Sequence, residues 1–362
     1  MHSNDILNSM MIFMLVALIF YYRKSIFSIE PERKYGLHVL WLVLTLFSVF
    51  YQPEVGDSAS TVDLYNNYIH GKVEYHLEPF YFRLMDILPE SYYLWRFVIW
   101  GAASLFTCLT IKRIGINVNF ASVIFVTTCL LPIFYYVRNI LGMSMLFYAL
   151  SIVLTMEKRA RKKTKEILIV ALSLVGAYFT HTSMPLYFFI VVAAYFIPVN
   201  RTSIISVILI LVVLSFFAEN LALFLINTGM FSDYALDVAG NAFDKDMGYS
   251  HNLNGLILRY FWVLPYGIQI IWALIDKSIT KDLAQHRSLK VFLMVSFILF
   301  FGTIALEGNI TYSLYYRLFN SSFYPMSFFV SMFLMEKKYT MLGKVCLVCI
   351  LIYNLYQFLG LI

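Results

Sequence analysis

Charged residues are scarce in this chain: Asp, Glu, Lys and Arg make up 13% of its 362 residues, where about a quarter is usual. Hydrophobic residues make up 60%. So little charge with so much apolar surface excludes an ordinary soluble domain and indicates an integral membrane protein. In such a protein, the chain length indicates the number of membrane spans rather than the number of domains. We therefore treat residues 1–362 as a single integral membrane domain.

Cysteine is also rare and forms no metal or redox pattern. Each of the four cysteines, including Cys108 and Cys129, falls inside a hydrophobic run. Cys346 and Cys349 form a C-x-x-C pair within a span, but a structural zinc site takes four ligands and the chain has no second pair. We interpret this pair as core packing and expect no metal.

The sequence lacks a glycine-rich phosphate-binding loop and any nucleotide-binding pattern, so no cofactor and no use of ATP is expected. Its net charge of +6 is distributed in short clusters between apolar runs. Such clusters orient a protein in a membrane. They do not form the basic patch of a nucleic-acid-binding protein, and no nucleic-acid partner is expected.

Twelve apolar runs approach the roughly 20 residues that a helix needs to cross a membrane. They predict an all-α polytopic membrane protein. Some runs are short, so re-entrant or broken helices are an alternative to full spans there. The predicted spans are 8–22, 36–51, 92–111, 119–137, 139–156, 167–180, 184–199, 203–226, 259–275, 290–306, 317–335 and 344–361.

Lys and Arg are distributed unevenly between the two sides that these spans define. Of the 27, 20 lie on one side, which predicts that side to be cytoplasmic. Both termini are then expected on the outer side. The first apolar run is expected to be a retained helix, because it lacks the pattern of a cleaved signal peptide. The seven outer residues are Lys72, Arg83, Arg96, Arg138, Lys245, Arg259 and Arg317.

Two long connections, at about 52–91 and 226–258, face the outer side in this topology. The first holds most of the longest polar segment of the chain, which runs from residue 51 to residue 83 and is rich in carboxylates and tyrosines. Residues 78–88 predict a short interfacial helix. Its side chains expected to face lipid are Phe80, Leu84 and Ile87. Residues 230–238 predict a second short helix, and each helix would cover a cavity.

Arginines at the outer ends of spans are candidates for binding an anion. A guanidinium is always charged and binds phosphate oxygens through paired hydrogen bonds. A charge held at the end of a span also faces a polar cavity or a partner. We select Arg83, Arg138 and Arg317 as ligands of a lipid-linked diphosphate. For Arg96 and Arg259, snorkelling to the lipid headgroups is an equal alternative.

His181, at the outer end of the sixth predicted span, suits a general base or a diphosphate ligand. A hydrogen-bonded core histidine is the alternative. Asp57 and Glu78, in the first outer loop, are candidates for taking a proton from a sugar hydroxyl. Glu78 has a helix cap as its alternative, because Pro79 follows it. The loop tyrosines suit stacking on sugars, and an interfacial aromatic belt explains them equally well.

Five short motifs, in this order and on one side of the membrane, resemble the EpsG family, which is related to Wzy-type polymerases of bacterial O-antigen and capsule. They cover about residues 36–200, and the remainder is similar only in hydropathy and in its second outer loop. Asn139 stands where the family more often has glutamine. The motifs are Gly56 with Asp57; Asp63, Tyr65 and Tyr68; Glu78 with Pro79; Arg138 with Asn139; and His181 to Ser183.

The resemblance implies a GT-C-like helical fold in the bacterial inner membrane. The implied activity is polymerisation of polyprenyl-diphosphate-linked oligosaccharide repeats at the periplasmic face, without nucleotide sugar or metal. Arg138 and His181 would lie near the diphosphate and the reacting sugar. Asp57 and Glu78 would belong to the outer-loop part of the site. The residues assigned to sugar binding are Asp63, Tyr65 and Tyr68.

The first functional hypothesis is a membrane glycosyltransferase in which Asp57 or His181 takes the proton. Membrane lipid and a chain-length regulator protein are its candidate partners besides the lipid-linked substrate. One alternative is a lipid-linked oligosaccharide flippase or another transporter, which should carry charges deep in both halves and show an internal repeat. Another is a membrane acyltransferase that modifies surface glycans, with a histidine-centred site supplied from the cytoplasm.

Overall fold

The computed structural model of the chain describes residues 3–27, 31–51, 57–71, 79–88, 91–126, 137–156, 163–181, 183–227, 253–276, 287–306, 312–337 and 340–359. Every regular element within these ranges is a helix, which confirms the predicted all-α class. The fourteen helices, α1 to α14 in chain order, are Ser3–Phe27, Gly36–Phe50, Asp57–Ile69, Pro79–Ile87, Tyr92–Ile114, Val118–Ile124, Val137–Met156, Lys163–Thr180, Met184–Phe196, Arg201–Asn227, Leu253–Ile275, Arg287–Ala305, Tyr312–Lys337 and Met341–Leu359.

Each of the twelve predicted spans overlaps one of these helices. Length and composition support membrane crossing for a smaller number, so the full count of twelve crossings stays a prediction. Four described segments are long and apolar enough to cross: Tyr92–Ile114, Asn139–Met156, Arg287–Ala305 and Leu318–Lys337. The shorter apolar helices are Gly36–Phe50, Met184–Phe196, Arg201–Phe217 and Leu264–Ile275.

Helix α13 is the central element of the bundle. Its most apolar stretch is 94% buried, and the helix packs against α6, α7, α11, α12 and α14. A helix buried on all sides is stable only when other helices surround it. Aromatic rings fill these contacts: Tyr324 and Phe328 both meet Phe125, directly after α6, and Phe147 of α7, and Phe328 also meets Phe292 of α12.

Helix α7 is the second buried element and packs between α5 and α8. Its first half also approaches α9 closely, because Gly142 has no side chain. A Cβ atom at Gly142 would lie 2.5 Å from Sδ of Met184, the first residue of α9. This close approach places the turn between α8 and α9 beside the first turns of α7.

Helix α4 confirms the short helix predicted at 78–88. Phe80 and Ile87 are exposed, as expected of lipid-facing side chains, whereas Leu84, also expected to face lipid, is half-buried against the core and Tyr81 is buried. The buried side of α4 packs against α3 and α8, the helix that ends immediately before His181. The short helix predicted in the second loop lies outside the described residues.

Helix α3 was not predicted, although Leu64, Tyr65 and Tyr68 recur at helical spacing. Tyr65 fixes this helix in place. Its hydroxyl donates to the backbone carbonyl of Leu88 at 2.7 Å, and its ring lies 5.4 Å from that of Trp95 in α5. Helices α3 and α4 therefore form one structured cover anchored on the start of α5.

Polar contacts at one end of the bundle join residues that the charge distribution had placed on the same side. Arg113, in α5, donates to Oγ1 of Thr155 at 2.8 Å and forms an ion pair with Glu166 of α8. Lys337 of α13 lies 2.7 Å from the carboxylate of Asp276. All five residues belong to the side predicted to be cytoplasmic.

Candidate functional site

A buried polar network joins two helices and a turn at the other end of the bundle, ~24 Å from Thr155 along α7 at 1.5 Å per residue. Oδ1 of Asn139 accepts a hydrogen bond from Oγ of Ser183 at 2.8 Å, and its Nδ2 donates to Oγ of Ser321 at 3.5 Å. Asn139 and Ser321 are buried. A buried polar group left unpaired costs about 1–3 kcal/mol. The network therefore holds α7, the α8–α9 turn and α13 together.

His181 is held by the same turn. Its Nδ1 accepts the backbone N–H of Ser183 at 3.0 Å, and Oγ of Ser183 lies 2.8 Å from the same nitrogen. A backbone amide can only donate, so this contact favours an unprotonated Nδ1, with the proton of the neutral ring on Nε2. The contact also provides a partner for an N–H at the start of α9, where helical partners are lacking.

This tautomer determines what His181 can do. In this tautomer, Nε2 of the neutral ring donates a hydrogen bond to an oxygen placed opposite it. The lone pair that a general base requires is on Nδ1 and is directed at the N–H of Ser183. This tautomer therefore suits the predicted role as a diphosphate ligand better than the predicted role as a base.

Helix α13 contributes polar groups that were not selected from the sequence. The hydroxyls of its other buried serines donate hydrogen bonds to carbonyls of the same helix. That of Ser322, for example, donates to the carbonyl of Phe319 at 2.6 Å. Ser321 instead meets Asn139. Asn320 is buried, and its Nδ2 has no hydrogen-bond partner among the described residues. The run Asn-Ser-Ser inside a span was the available signal, because polar groups there mark a partner or a ligand.

Pro325 adds a backbone group to this site. Proline has no N–H, so the carbonyl of Ser321, four residues earlier, loses the donor that a regular helix would supply. The polar character of α13 beside Asn139 thus comes from its backbone as well as its side chains.

The network brings the backbone positions of two predicted diphosphate ligands, Arg138 and Arg317, to the same end of the bundle. Arg138 directly precedes Asn139 in α7. Arg317 lies four residues before Ser321 in α13, and residues four apart share a helix face. From the sequence, Arg317 was selected on charge alone, with no motif to connect it to Arg138. The contact between α7 and α13 supplies that connection.

Arg83 lies on the exposed side of α4 and pairs with a neighbour. Its side chain is 79% exposed, and its Nη1 lies 3.2 Å from Oδ2 of Asp86. Burial, and then a hydrogen bond to Asp86, raises the pKa of Tyr68 above its ordinary value. Because Asp86 offsets the charge of Arg83, Arg83 is a weaker cation for a diphosphate than an unpaired arginine would be.

The remaining predicted site residues belong to the cover formed by α3 and α4 or to the segment between these helices. Asp63 is exposed and Tyr68 is half-buried, so both have surface to present to a sugar. Tyr65 is buried, with its hydroxyl and its ring both engaged. Asp57 is the first residue of α3, and Glu78 lies outside the described residues.

Arg96 is buried and does not snorkel to the lipid headgroups. It is 1% exposed, donates to the Tyr92 hydroxyl at 2.8 Å and donates to the backbone carbonyl of Ser48. Ser48 is in the last turn of α2, where carbonyls lack helical donors and the helix dipole is negative. The guanidinium therefore links the end of α2 to the start of α5.

Within the described ranges, no group of three or more His, Cys, Asp or Glu side chains could hold a metal ion. No protein-family model matches this chain, and neither does any curated protein or solved structure. The site is therefore interpreted from its own residues and geometry.

Proposed function

We propose that the protein is a membrane glycosyltransferase that joins polyprenyl-diphosphate-linked oligosaccharide repeat units into a polysaccharide. The network at Asn139 carries this proposal, because it gathers the helix positions of Arg138, His181 and Arg317 at one end of the bundle. Two permanent cations and a hydrogen-bond donor suit a leaving group that bears two phosphates. The motifs that resemble the EpsG family support the same class.

The reaction is a substitution at the anomeric carbon of the donor sugar. The acceptor hydroxyl oxygen forms a bond to that carbon, the bond from the carbon to the diphosphate oxygen breaks, and the hydroxyl proton passes to a carboxylate. Arg138 and Arg317 offset the charge that develops on the leaving diphosphate, and His181 donates to one of its oxygens from Nε2. Asp57 and Glu78 are the proposed proton acceptors, because Nδ1 of His181 is already engaged.

We place this site at the periplasmic face of the bacterial inner membrane, with both termini on that side. The support is that 20 of the 27 Lys and Arg residues are predicted to lie at the opposite end, in connections or in the helix turns beside them. The ion pairs of Glu166 and Asp276 are at that opposite end as well. A lipid-linked donor would then reach the network from the outer leaflet.

A flippase gains no support from the described part of the chain. Transporters of that kind carry charged groups near the middle of the membrane. The ion pairs in the described ranges lie at helix ends or in the outer cover, as with Lys337 and Asp276, and Arg83 and Asp86.

Deleting the gene should remove the long ladder of surface glycan while a single repeat unit remains. Unpolymerised units can still be transferred to the surface, and gel electrophoresis of the extracted glycan separates the two forms. Complete loss of surface glycan with intermediates on the inner face would support the flippase instead. An intact ladder that lacks acyl groups would support the acyltransferase.

Arg138→Ala, in protein expressed at the wild-type level, should reduce polymerisation by about a hundredfold, because it removes a cation that stabilises the leaving group. Arg138→Lys should be intermediate, because it keeps the charge but not the paired geometry. Arg23→Ala is the control, since Arg23 is exposed and donates to the carbonyl of Phe20 in its own helix. A ladder that survives Arg138→Ala would make the arginine structural and remove its assignment to the diphosphate.

A further inference from the structure

An apolar groove runs along α10 between α11 and α12. Its volume is about 1030 Å³, at the large end of the roughly 300–1,000 Å³ typical of ligand pockets. Ile208 of α10, Ile271 of α11 and Phe301 of α12 lie on its three sides. Ile208 and Ile271 are exposed, so the groove is an open apolar channel rather than packed core.

One end of the groove is cationic. Among the described residues that line it, Arg201 is the only charged one, Asn200 is the only other polar one, and none is a carboxylate. Oδ1 of Asn200 accepts the backbone N–H of Ser203 at 2.8 Å, which fixes this amide at the start of α10 and leaves its Nδ2 as a donor. A ligand complementary to the groove has a long apolar part and a single anionic end.

This cationic end is remote from the polar network. Ser183 and Arg201 lie at opposite ends of α9, whose 13 residues span ~20 Å. A ligand with its charge at Arg201 therefore does not place that charge at Asn139 and His181. The groove is a second site, independent of the proposed reaction.

We propose that the groove binds the two acyl chains of an anionic phospholipid, with the headgroup phosphate against Arg201. A protein partner would meet a polar rim around an apolar centre, whereas here the polarity is confined to one end. Basic pockets between membrane helices bind anionic headgroups. The shape and the charge of the groove both match this class of lipid.

The test is native mass spectrometry of the full-length protein after exchange into equal amounts of phosphatidylglycerol and phosphatidylcholine. The wild-type protein should retain one phosphatidylglycerol. Arg201→Gln should lower the preference for that lipid about fivefold, and Arg201→Lys should keep it. Ile208→Trp should remove the retained lipid by filling the groove. Leu209→Trp is the matched control, because Leu209 is 59% exposed on the same helix and does not line the groove.

Equal retention of the two lipids by the wild-type protein would overturn the proposal. So would equal retention by the Ile208→Trp and Leu209→Trp variants, or recovery of a polyprenyl phosphate that Ile208→Trp displaces. If Ile208→Trp fails to fold, Ile271→Trp blocks the same groove from α11 and should likewise remove the retained lipid.

Discussion

His181→Gln should retain measurable polymerisation, whereas His181→Ala should lose about a hundredfold or more. A glutamine amide can place an N–H near the position of Nε2 but cannot take a proton, and alanine provides neither function. Removing one donor from a developing anion costs roughly a hundredfold to a thousandfold. The measurement is the rate of chain growth from lipid-linked repeats by variants purified in matched amounts.

Two further measurements separate the donor role from that of a base. Nitrogen-15 NMR of ring-labelled histidine, with the His181→Gln spectrum to assign the signal, should show an unprotonated Nδ1. Ser183→Ala should cost less activity than His181→Ala, because it keeps the backbone N–H that sets the tautomer. If the folded His181→Gln variant is as inactive as His181→Ala, and if Nδ1 carries a proton, then His181 is the base and Nε2 is the nitrogen that accepts the proton from the sugar hydroxyl.

Arg96→Ala should destabilise the protein by about 3 kcal/mol, because it removes a buried link between α2 and α5. The change leaves the carbonyl of Ser48 and the hydroxyl of Tyr92 without their donor, and each buried unpaired group costs about 1–3 kcal/mol. The stability of Arg96→Lys should lie between that of the wild-type protein and that of Arg96→Ala, because an ammonium group cannot reach both acceptors as the guanidinium does. Unfolding in detergent, followed by circular dichroism, gives the comparison.

Arg83→Ala is the matched control for this measurement. Arg83 is also an arginine, but its side chain is exposed and its ion pair with Asp86 is open to solvent. Exposed ion pairs contribute ~0–1 kcal/mol. If Arg96→Ala and Arg83→Ala lower stability equally, the contact between α2 and α5 does not stabilise the fold.

Much of the fold could be predicted because its signals are local. Apolar runs located the helices, and the short amphipathic pattern at 78–88 located α4. Helix α3 was missed because it is polar and has few apolar residues. What holds it in place is tertiary: the hydrogen bond from Tyr65 to Leu88 and the contact with Trp95. A segment stabilised by contacts with distant residues shows only a weak pattern of its own.

The candidate site was predictable in part for a similar reason. Arg138 and His181 stood out because charged and ionisable groups are rare at span ends. The contact of Asn139 with Ser321 joins residues 182 positions apart, and only the packing of α7 on α13 brings them together. The tautomer of His181 follows from one backbone N–H, and the burial of Arg96 follows from the approach of α2 to α5. Neither the tautomer nor the burial can be predicted from the spacing of residues in the sequence.

Pro325 divides α13 into two segments. Aromatic contacts hold both of them, through Tyr324 before the proline and Phe328 after it, and the ion pair of Lys337 holds the end of the second. The segment before the proline carries the positions of Arg317 and Ser321 and lacks one backbone bond to the rest of the helix. A helix bends most easily where a proline removes a backbone bond, so tilts of the segment that carries the proposed site would be taken up at Pro325, and the aromatic centre of the bundle would keep its packing.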